Sequence, residues 1–338
     1  MPIGADGQVC FVNAQHSSVH LVADQLGVID ADSYQPATPS GAPQRALDTR
    51  AVGVPEPPAD PSDIVHGRQL TAANTGLRAA GFVYDVATDT FKHPVDGALR
   101  RSGTIRTSRD GQVIANVDVE GAIIVEHDNV TIRNCRVRYD GTVYGIDARS
   151  TSPVGTLIEY CDITHIGPEP HEAYGIFLSR GTARYLNIYG WQAGFIAGTD
   201  TRIEYSRITD LRAISGTHGT GGSADGGSNI SFYRNYIEGN TSAALALYSR
   251  SPFHGVSVRE NYFDASTRPS FCLNAGDNKN GTGVNTDIKV VGNVFGTTKY
   301  PECGQFGTHY RWDPTRPGAQ WCDNRLSTGV PVGREVGC

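Results

Sequence analysis

NVTIRNCRV (129–137), GTLIEYCDI (155–163), ARYLNIY (183–189), DTRIEYSRI (200–208), SNISFYRNYI (228–237), GVSVRENYF (255–263) and DIKVVGNVF (287–295) repeat a single pattern. Each is a short run of alternating apolar and polar residues, then a small polar residue, then a second short β run. Aligned on the small residue, the column reads Cys135, Cys161, Asn187, Ser206, Asn235, Asn261 and Asn293, at spacings of 19 to 32 residues. Strand-type alternation at that period signals a solenoid of short parallel strands, one coil per repeat. Coils stacked at about 4.8 Å bring equivalent residues over one another. Asn and Ser suit a column at a bend, because their side chains bond backbone groups left unpaired there and stacked amides bond each other. Cys135 and Cys161 fill the same slot as small buried residues. The leucine consensus of a leucine-rich repeat is absent. The reading is therefore an all-β chain, a parallel β-helix from about Gly121 to about Thr298.

A third strand per coil is expected at YGIDAR (144–149), YGIFLSR (174–180), AGFIAG (193–198), GGSADG (221–226), AALALYS (243–249) and SFCLNAG (270–276). Alternation turns Ile146, Ile176, Phe195, Leu245 and Leu247 inward. It leaves Asp147 and Arg149, Phe177 and Ser179, Ile196 and Gly198, Ser223 and Asp225, and Ala246 and Tyr248 outside. The register at GGSADG and SFCLNAG is open, since Gly and Cys fit either face.

Composition narrows the function. The chain has 338 residues, with 29 Lys+Arg against 35 Asp+Glu and a net charge of -6, which gives no long-range attraction to nucleic acid. No apolar run reaches the ~20 residues of a membrane span. The opening MPIGADGQVC lacks the basic start and apolar stretch of a signal peptide, which fits a segment of a longer exported protein or a virion protein. Residues 1–54 read as short strands, 55–70 as a proline-rich linker, and 71–338 as the β-helix with a C-terminal cap. Seven cysteines without a CxxC speak against a zinc ribbon. Cys303 and Cys322 flank a loop that a bridge would restrain; free buried thiols are the alternative. Asn229-Ile-Ser and Asn240-Thr-Ser match glycosylation acceptors, a short pattern that arises freely by chance.

The repeats and their Asn column resemble the right-handed parallel β-helix superfamily, which includes pectate lyases, other polysaccharide lyases and hydrolases, and phage tailspikes. The resemblance covers roughly residues 74–325. NTGLRAAG (74–81) and THGTGGSADGGSNISFYRNYIEG (217–239) look like β-helix proteins of actinobacteria, whose equivalent stretch runs Thr-His-x-Asp-Gly-x-Gln. His218 matches that His, whereas Thr220 stands where the Asp is expected and Ser223 where the Gln is expected. GQVCFVNAQHSSVHLVADQLGVI (7–29) and APQRALDTR (42–50) are similar to a repeat of exported actinobacterial surface proteins. Together these imply an extracellular or cell-surface location, or a virion, with a glycan lying along the outer face of one parallel sheet.

On that face the long turns THIGPEPHEAY (164–174) and DLRAISGTHGT (210–220) bring His165, His171, Glu172, Asp210, Arg212 and His218 toward Asp147, Arg149, Asp225 and Tyr248. Loops on a rigid scaffold are the usual place for binding chemistry. A lyase would use His218 or Tyr248 as base and Arg149 or Arg212 to neutralise a uronate carboxylate. A hydrolase would need two carboxylates about 5–10 Å apart, for which Glu172 and Asp225 are candidates. The catalytic candidates are thus His218, Asp225, Glu172 and Arg149; the substrate-binding candidates are Asp147, His171, Arg212 and Tyr248. Each has an ordinary alternative: a histidine bonding backbone in a turn, a solvated carboxylate or arginine, an exposed tyrosine. His171 and Glu172 could also join a metal site, although no ligand spacing enforces one. No metal site or cofactor is expected, with calcium left open. The partner is a polysaccharide, with no nucleic acid and no membrane span, and the chain is a monomer or a homotrimer. Enzyme and non-catalytic adhesin or phage-tail component both fit the scaffold, the enzyme narrowly favoured. The tail KYPECGQFGTHYRWDPTRPGAQWCDN (299–324) leaves the period and should close the open end; Trp312 and Trp321 either cap it or stack on sugar.

Overall fold

The computed structural model describes residues 66–168, 170–214, 216–248, 250–276 and 284–338. The repeat expected over 1–54, Cys10 and the expected linker up to residue 65 lie outside them. Almost every described element is a short strand, and three parallel sheets run the length of the molecule. Sheet A has nine strands from Ile105–Arg106 to His309–Tyr310, and sheet B has nine from Val113–Ala115 to Gln320–Cys322. Sheet C has ten, from Arg100–Ser102 to Arg325–Leu326. Each coil passes through sheets B, C and A in turn, so a strand pairs only with its counterparts one coil before and after. This is the parallel β-helix that the repeats predicted. Its core is one continuous apolar cluster that includes Ile146, Ile176, Phe195, Leu245 and Leu247, the residues that alternation turned inward.

The corner between sheets B and C is one residue with positive φ in each coil, including Asn134, Tyr160, Tyr185, Tyr205, Arg234, Glu260 and Asp323. Where the next residue is Asn or Ser, its side chain enters the core and bonds the backbone of the coil before it. Asn261 Oδ1 accepts from Asn235 N (2.9 Å) and Nδ2 (3.0 Å), and Asn261 Nδ2 donates to Phe232 O (2.9 Å) and Asn293 Oδ1 (3.0 Å). The same chain of bonds runs from Leu186 N to Ser206 Oγ, from Ser206 N to Asn235 Oδ1, and on to Asn324. The register corrects one member of the predicted column. Asp162 pairs with Asn187, so Leu186 and not Asn187 fills the slot beside Cys161. Asn187 lies one position further on and donates to Asp162 Oδ1 (2.8 Å). The Asn had matched by chance because Leu186 interrupts the polar run.

Sheet A carries a second regular feature. Ala244 N and Leu245 N both donate to Cys272 O, and Cys272 N and Leu273 N both donate to Thr308 O. Two donors on one carbonyl mark a bulge, which re-aims the residues before it. The same position in earlier coils is Gly145, Gly175, Gly194 and Gly221. There a Cβ would lie 2.7 Å from Ile188 at Gly175 and 2.3 Å from Ile237 at Gly221. The inward turn at the bulge leaves Tyr144, Tyr174 and Phe271 on the outer face.

The C-terminal end and one flank are covered. Residues 66–80 lie as a strap across the strands of sheet C, against the chain direction of the coils. His66 Nε2 bonds Gly292 O, Gly67 N donates to Glu260 O, Gly76 N to Tyr185 O, and Leu77 N to the buried Asp162 Oδ2. Leu70 seats against Tyr185 among the corner tyrosines. A small antiparallel sheet (Val83–Asp85, Thr90–His93, Gly97–Ala98) follows, tied down where Arg136 bridges Asp118 and Asp89. At the other end Trp321 is buried, donates to Val332 O and packs on Trp312, so both tryptophans serve the cap.

The expected Cys303–Cys322 bridge is not formed. Cys303 pairs with Cys272 and Cys322 with Cys338. The loop bearing Cys303 folds back over the sheet A strand that Cys272 precedes, whereas Cys322 meets the C-terminal segment that pairs antiparallel to Trp321. Cys135 and Cys161 are free and buried. Asn240 is also buried, bonding Gln192 O and Arg212 O, which closes it to glycosylation in the folded chain.

Candidate functional site

The outer face of sheet A holds a groove of about 1070 Å³. It spans the coils from Tyr174 to Tyr310, about 24 Å at the coil spacing. Its floor is the outward column Ile196, Ser223, Asn274 and Tyr310, and the residues preceding strands 173–178 and 220–224 form one wall. The registers Ile196↔Ser223↔Ala246↔Asn274 settle the two open strands: Ser223 and Asn274 face outward, and Asp225 follows two positions after Ser223.

Five of the eight candidate residues line this groove: His171, Glu172, His218, Asp225 and Tyr248. His218 is exposed, and its neighbour Gly219 donates to Thr241 Oγ1 and accepts from Ser242 N. Ser242 Oγ in turn lies 3.0 Å from Tyr248 Oη. Burial pushes the Tyr248 phenol above its usual value of 10, opposed by the Ser242 hydrogen bond and reinforced by the nearby Asp225 charge. Tyr174 is raised in the same way, first by burial and then by Glu172 and Asp225. Asp225 has Arg250 within 3.8 Å, a loose pairing. Glu172 sits in a left-handed conformation (φ 52°), its N–H donating to Gln192 Oε1.

The other three lie elsewhere. Arg149 is bound to Asp147 (2.8 Å) and lies over the Tyr144 ring (4.3 Å), on the same outer face but before the groove begins. Burial brings the Tyr144 phenol to about 12. Arg212 spends its guanidinium on His165 O, Gly167 O and Pro168 O, so it braces the wall and does not face the groove. His165 is buried beneath that wall, edge-on to Trp191. Asp210 is not among the lining residues; its N–H donates to Glu238.

Glu172 and Asp225 both line the groove and both act on Tyr174. Glu172 precedes Ser179 by seven positions, and Asp225 is level with Ser179 two coils on. No group of three or more His, Cys, Asp or Glu among the described residues is placed to hold a metal ion. No helix among them is long and apolar enough to cross a membrane.

A family model described as right handed beta helix region matches residues 120–295, more than half of the chain. The chain belongs to the right-handed β-helix family. No curated protein and no solved structure matches it. Right-handed β-helices serve both in enzymes that degrade polysaccharides and in binding proteins, so the groove itself must carry the argument.

Sequence reasoning missed several lining residues of this β-helix: Tyr174, Arg250, Phe271, Asn274, Phe306, Tyr310 and Arg311. Simple alternation from Ile176 turns Tyr174 inward. The column Gly145, Gly175, Gly194, Gly221 was the available signal that alternation breaks there. Phe306 and Tyr310 sit in the tail after the period ends, where no pattern assigns a face.

Proposed function

We propose that this chain binds an acidic polysaccharide along the outer face of sheet A and cleaves it by β-elimination. One observation carries the reading: His218, Ser242, Tyr248, Asp225 and Arg250 all line one groove, with Ser242 bonded to Tyr248 and Arg250 beside Asp225. In the step proposed, the His218 imidazole takes the proton on the carbon beside a uronate carboxylate. The electron pair forms a carbon–carbon double bond, and the bond from the next carbon to the glycosidic oxygen breaks. Tyr248 gives its proton to that oxygen, which becomes a hydroxyl on the departing chain. A phenol kept protonated by burial suits the acid role better than the base role. Arg250 offsets the carboxylate charge as it delocalises in the transition state. Solvent then carries the proton from His218 back to Tyr248.

Hydrolysis would call on Glu172 and Asp225, the two carboxylates of the groove, in place of His218 and Tyr248. Binding without cleavage is the second reading. It draws on Thr220 and Ser223, two short hydroxyl residues lining the groove where the resembling proteins are expected to carry Asp and Gln. An extracellular or surface setting fits either reading.

The test is an assay on acidic and neutral polysaccharides that follows reducing ends and unsaturated-uronate absorbance together. Both signals from the wild type, and neither from His218→Ala or Tyr248→Phe, are expected. Reducing ends without absorbance would replace elimination by hydrolysis, and retention on a glycan with no product would leave binding alone.

A further inference from the structure

The C-terminal third of the groove holds a cluster that the elimination step does not use. Phe271 stacks on Tyr310 with ring centres 4.8 Å apart and planes within 10°. Phe306 stands beside Phe271 at 6.1 Å and is 67% exposed, and Tyr310 is 44% exposed. Arg311 lies over the Tyr310 ring at 4.8 Å, with no carboxylate paired to it among the described residues. On the floor below, Asn274 Oδ1 is buried and has no hydrogen-bond partner. A buried acceptor without a donor is destabilising.

The cluster is also held rigid. The Cys272–Cys303 disulfide ties the Phe306 loop to the strand that carries Asn274. Gln305 N and Phe306 N donate to Pro269 O and Ser270 O, fixing the loop along the groove's edge. A site arranged before the ligand arrives loses less freedom on binding. Its position is next to the proposed chemistry, since Ser270 N and Phe271 N both donate to Ser242 O and Ser242 bonds Tyr248.

We propose that Phe271, Phe306, Tyr310, Arg311 and Asn274 form a subsite for one carboxylate-bearing sugar, immediately beside the residue whose bond is broken. This rests on the reading of the groove as a glycan site. The exposed Phe306 ring offers a flat apolar surface to the C–H face of a pyranose. The Asn274 side chain on the floor meets a sugar hydroxyl with its amide, and Arg311 pairs with the carboxylate, oriented by its contact with Tyr310. The uncompensated arginine selects an acidic sugar over a neutral one.

The experiment measures binding of the whole chain to six-residue oligomers of galacturonate, mannuronate and glucuronate, and to a neutral glucose hexamer of the same length, by calorimetry. Wild type, Phe306→Ala, Arg311→Gln and His218→Ala are compared, with melting temperatures as a check on folding. The expected result is that one acidic hexamer binds and that Phe306→Ala and Arg311→Gln each weaken it by roughly tenfold, the scale of one stacked or charged contact. Arg311→Gln should also narrow the gap between the acidic and the neutral hexamer, while His218→Ala keeps affinity. An acidic hexamer that binds wild type, Phe306→Ala and Arg311→Gln alike would overturn the subsite and leave the groove reading standing. Wild type that binds none of the four oligomers would overturn the groove reading, and the subsite with it.

Discussion

Replacing Asn261 by Ala should be among the most damaging single changes available to this chain. Asn261 is fully buried and bonds Asn235 and Phe232 in the coil before it and Asn293 in the coil after. Its loss strips the acceptor from Asn235 N and the donor from Phe232 O, whereas Asn293 Oδ1 keeps the Asn261 N–H. Asn235 Nδ2 keeps one bond, to Ile203 O, and is only partly affected. Two buried groups left unpaired, at about 1–3 kcal/mol each, sum to roughly 2–4 kcal/mol once partial relaxation is allowed. Cys135→Ala fills a slot where no amide chain exists, so it should cost no more than about 1–2 kcal/mol of packing. Urea unfolding of the two variants beside wild type, followed by circular dichroism, measures the difference. If Asn261→Ala shifted stability no more than Cys135→Ala, the amide chain would be incidental to the corner and its bonding role would have to be abandoned.

Acidification should weaken the fold before any carboxylate protonates. Burial, in each case the main cause, holds His66, His165 and His309 below the usual 6.5. Below pH 6.5 the unfolded chain therefore binds more protons than the folded one, so stability present above that value is lost as the pH falls. The melting temperature should drop between about pH 7.5 and 5.5, and His165→Gln with His309→Gln should flatten that drop; an unchanged slope would show that these rings titrate normally. Closer to pH 4 the buried Asp162, whose carboxyl is raised by desolvation, acts in the opposite sense. Peptide mapping without reductant should recover Cys272–Cys303 and Cys322–Cys338, with Cys135 and Cys161 alkylated only after denaturation. Removing the Cys272–Cys303 link, which closes a 31-residue separation, should cost about 3–4 kcal/mol by chain entropy, and a shift below 1 kcal/mol would mean that the loop is held by other contacts.

The fold was legible because stacking forces equivalent residues onto one period, and the period survives changes in turn length. What alternation could reach was read well: Asp225 and Tyr248 do face outward into the groove. It failed wherever a local device breaks the two-residue rhythm. At the corner, Leu186 takes a slot that Asn187 imitates from one position away. On sheet A the bulge shifts Tyr174 and Phe271 to the outer face although the strands read as simple alternations. The groove's C-terminal third was the least legible, because its rings come from a loop and a tail whose packing is set by a disulfide rather than by repeat. Arg212 shows the converse: a charge in the right turn that is consumed by three carbonyls.

A stack in which each coil touches only its neighbours can unzip from an end, one coil at a time, at little cost per step. The strap of residues 66–80 denies this chain that route. Because it bonds the corner of the coil at Gly292 and the carboxylate of the coil at Asp162, it turns a row of nearest-neighbour links into a laced bundle. Loosening the last coils means lifting the lace from the middle ones, so the intervening amides should exchange with solvent as one cooperative block. The groove floor on the opposite sheet belongs to those same coils and inherits their shared rigidity.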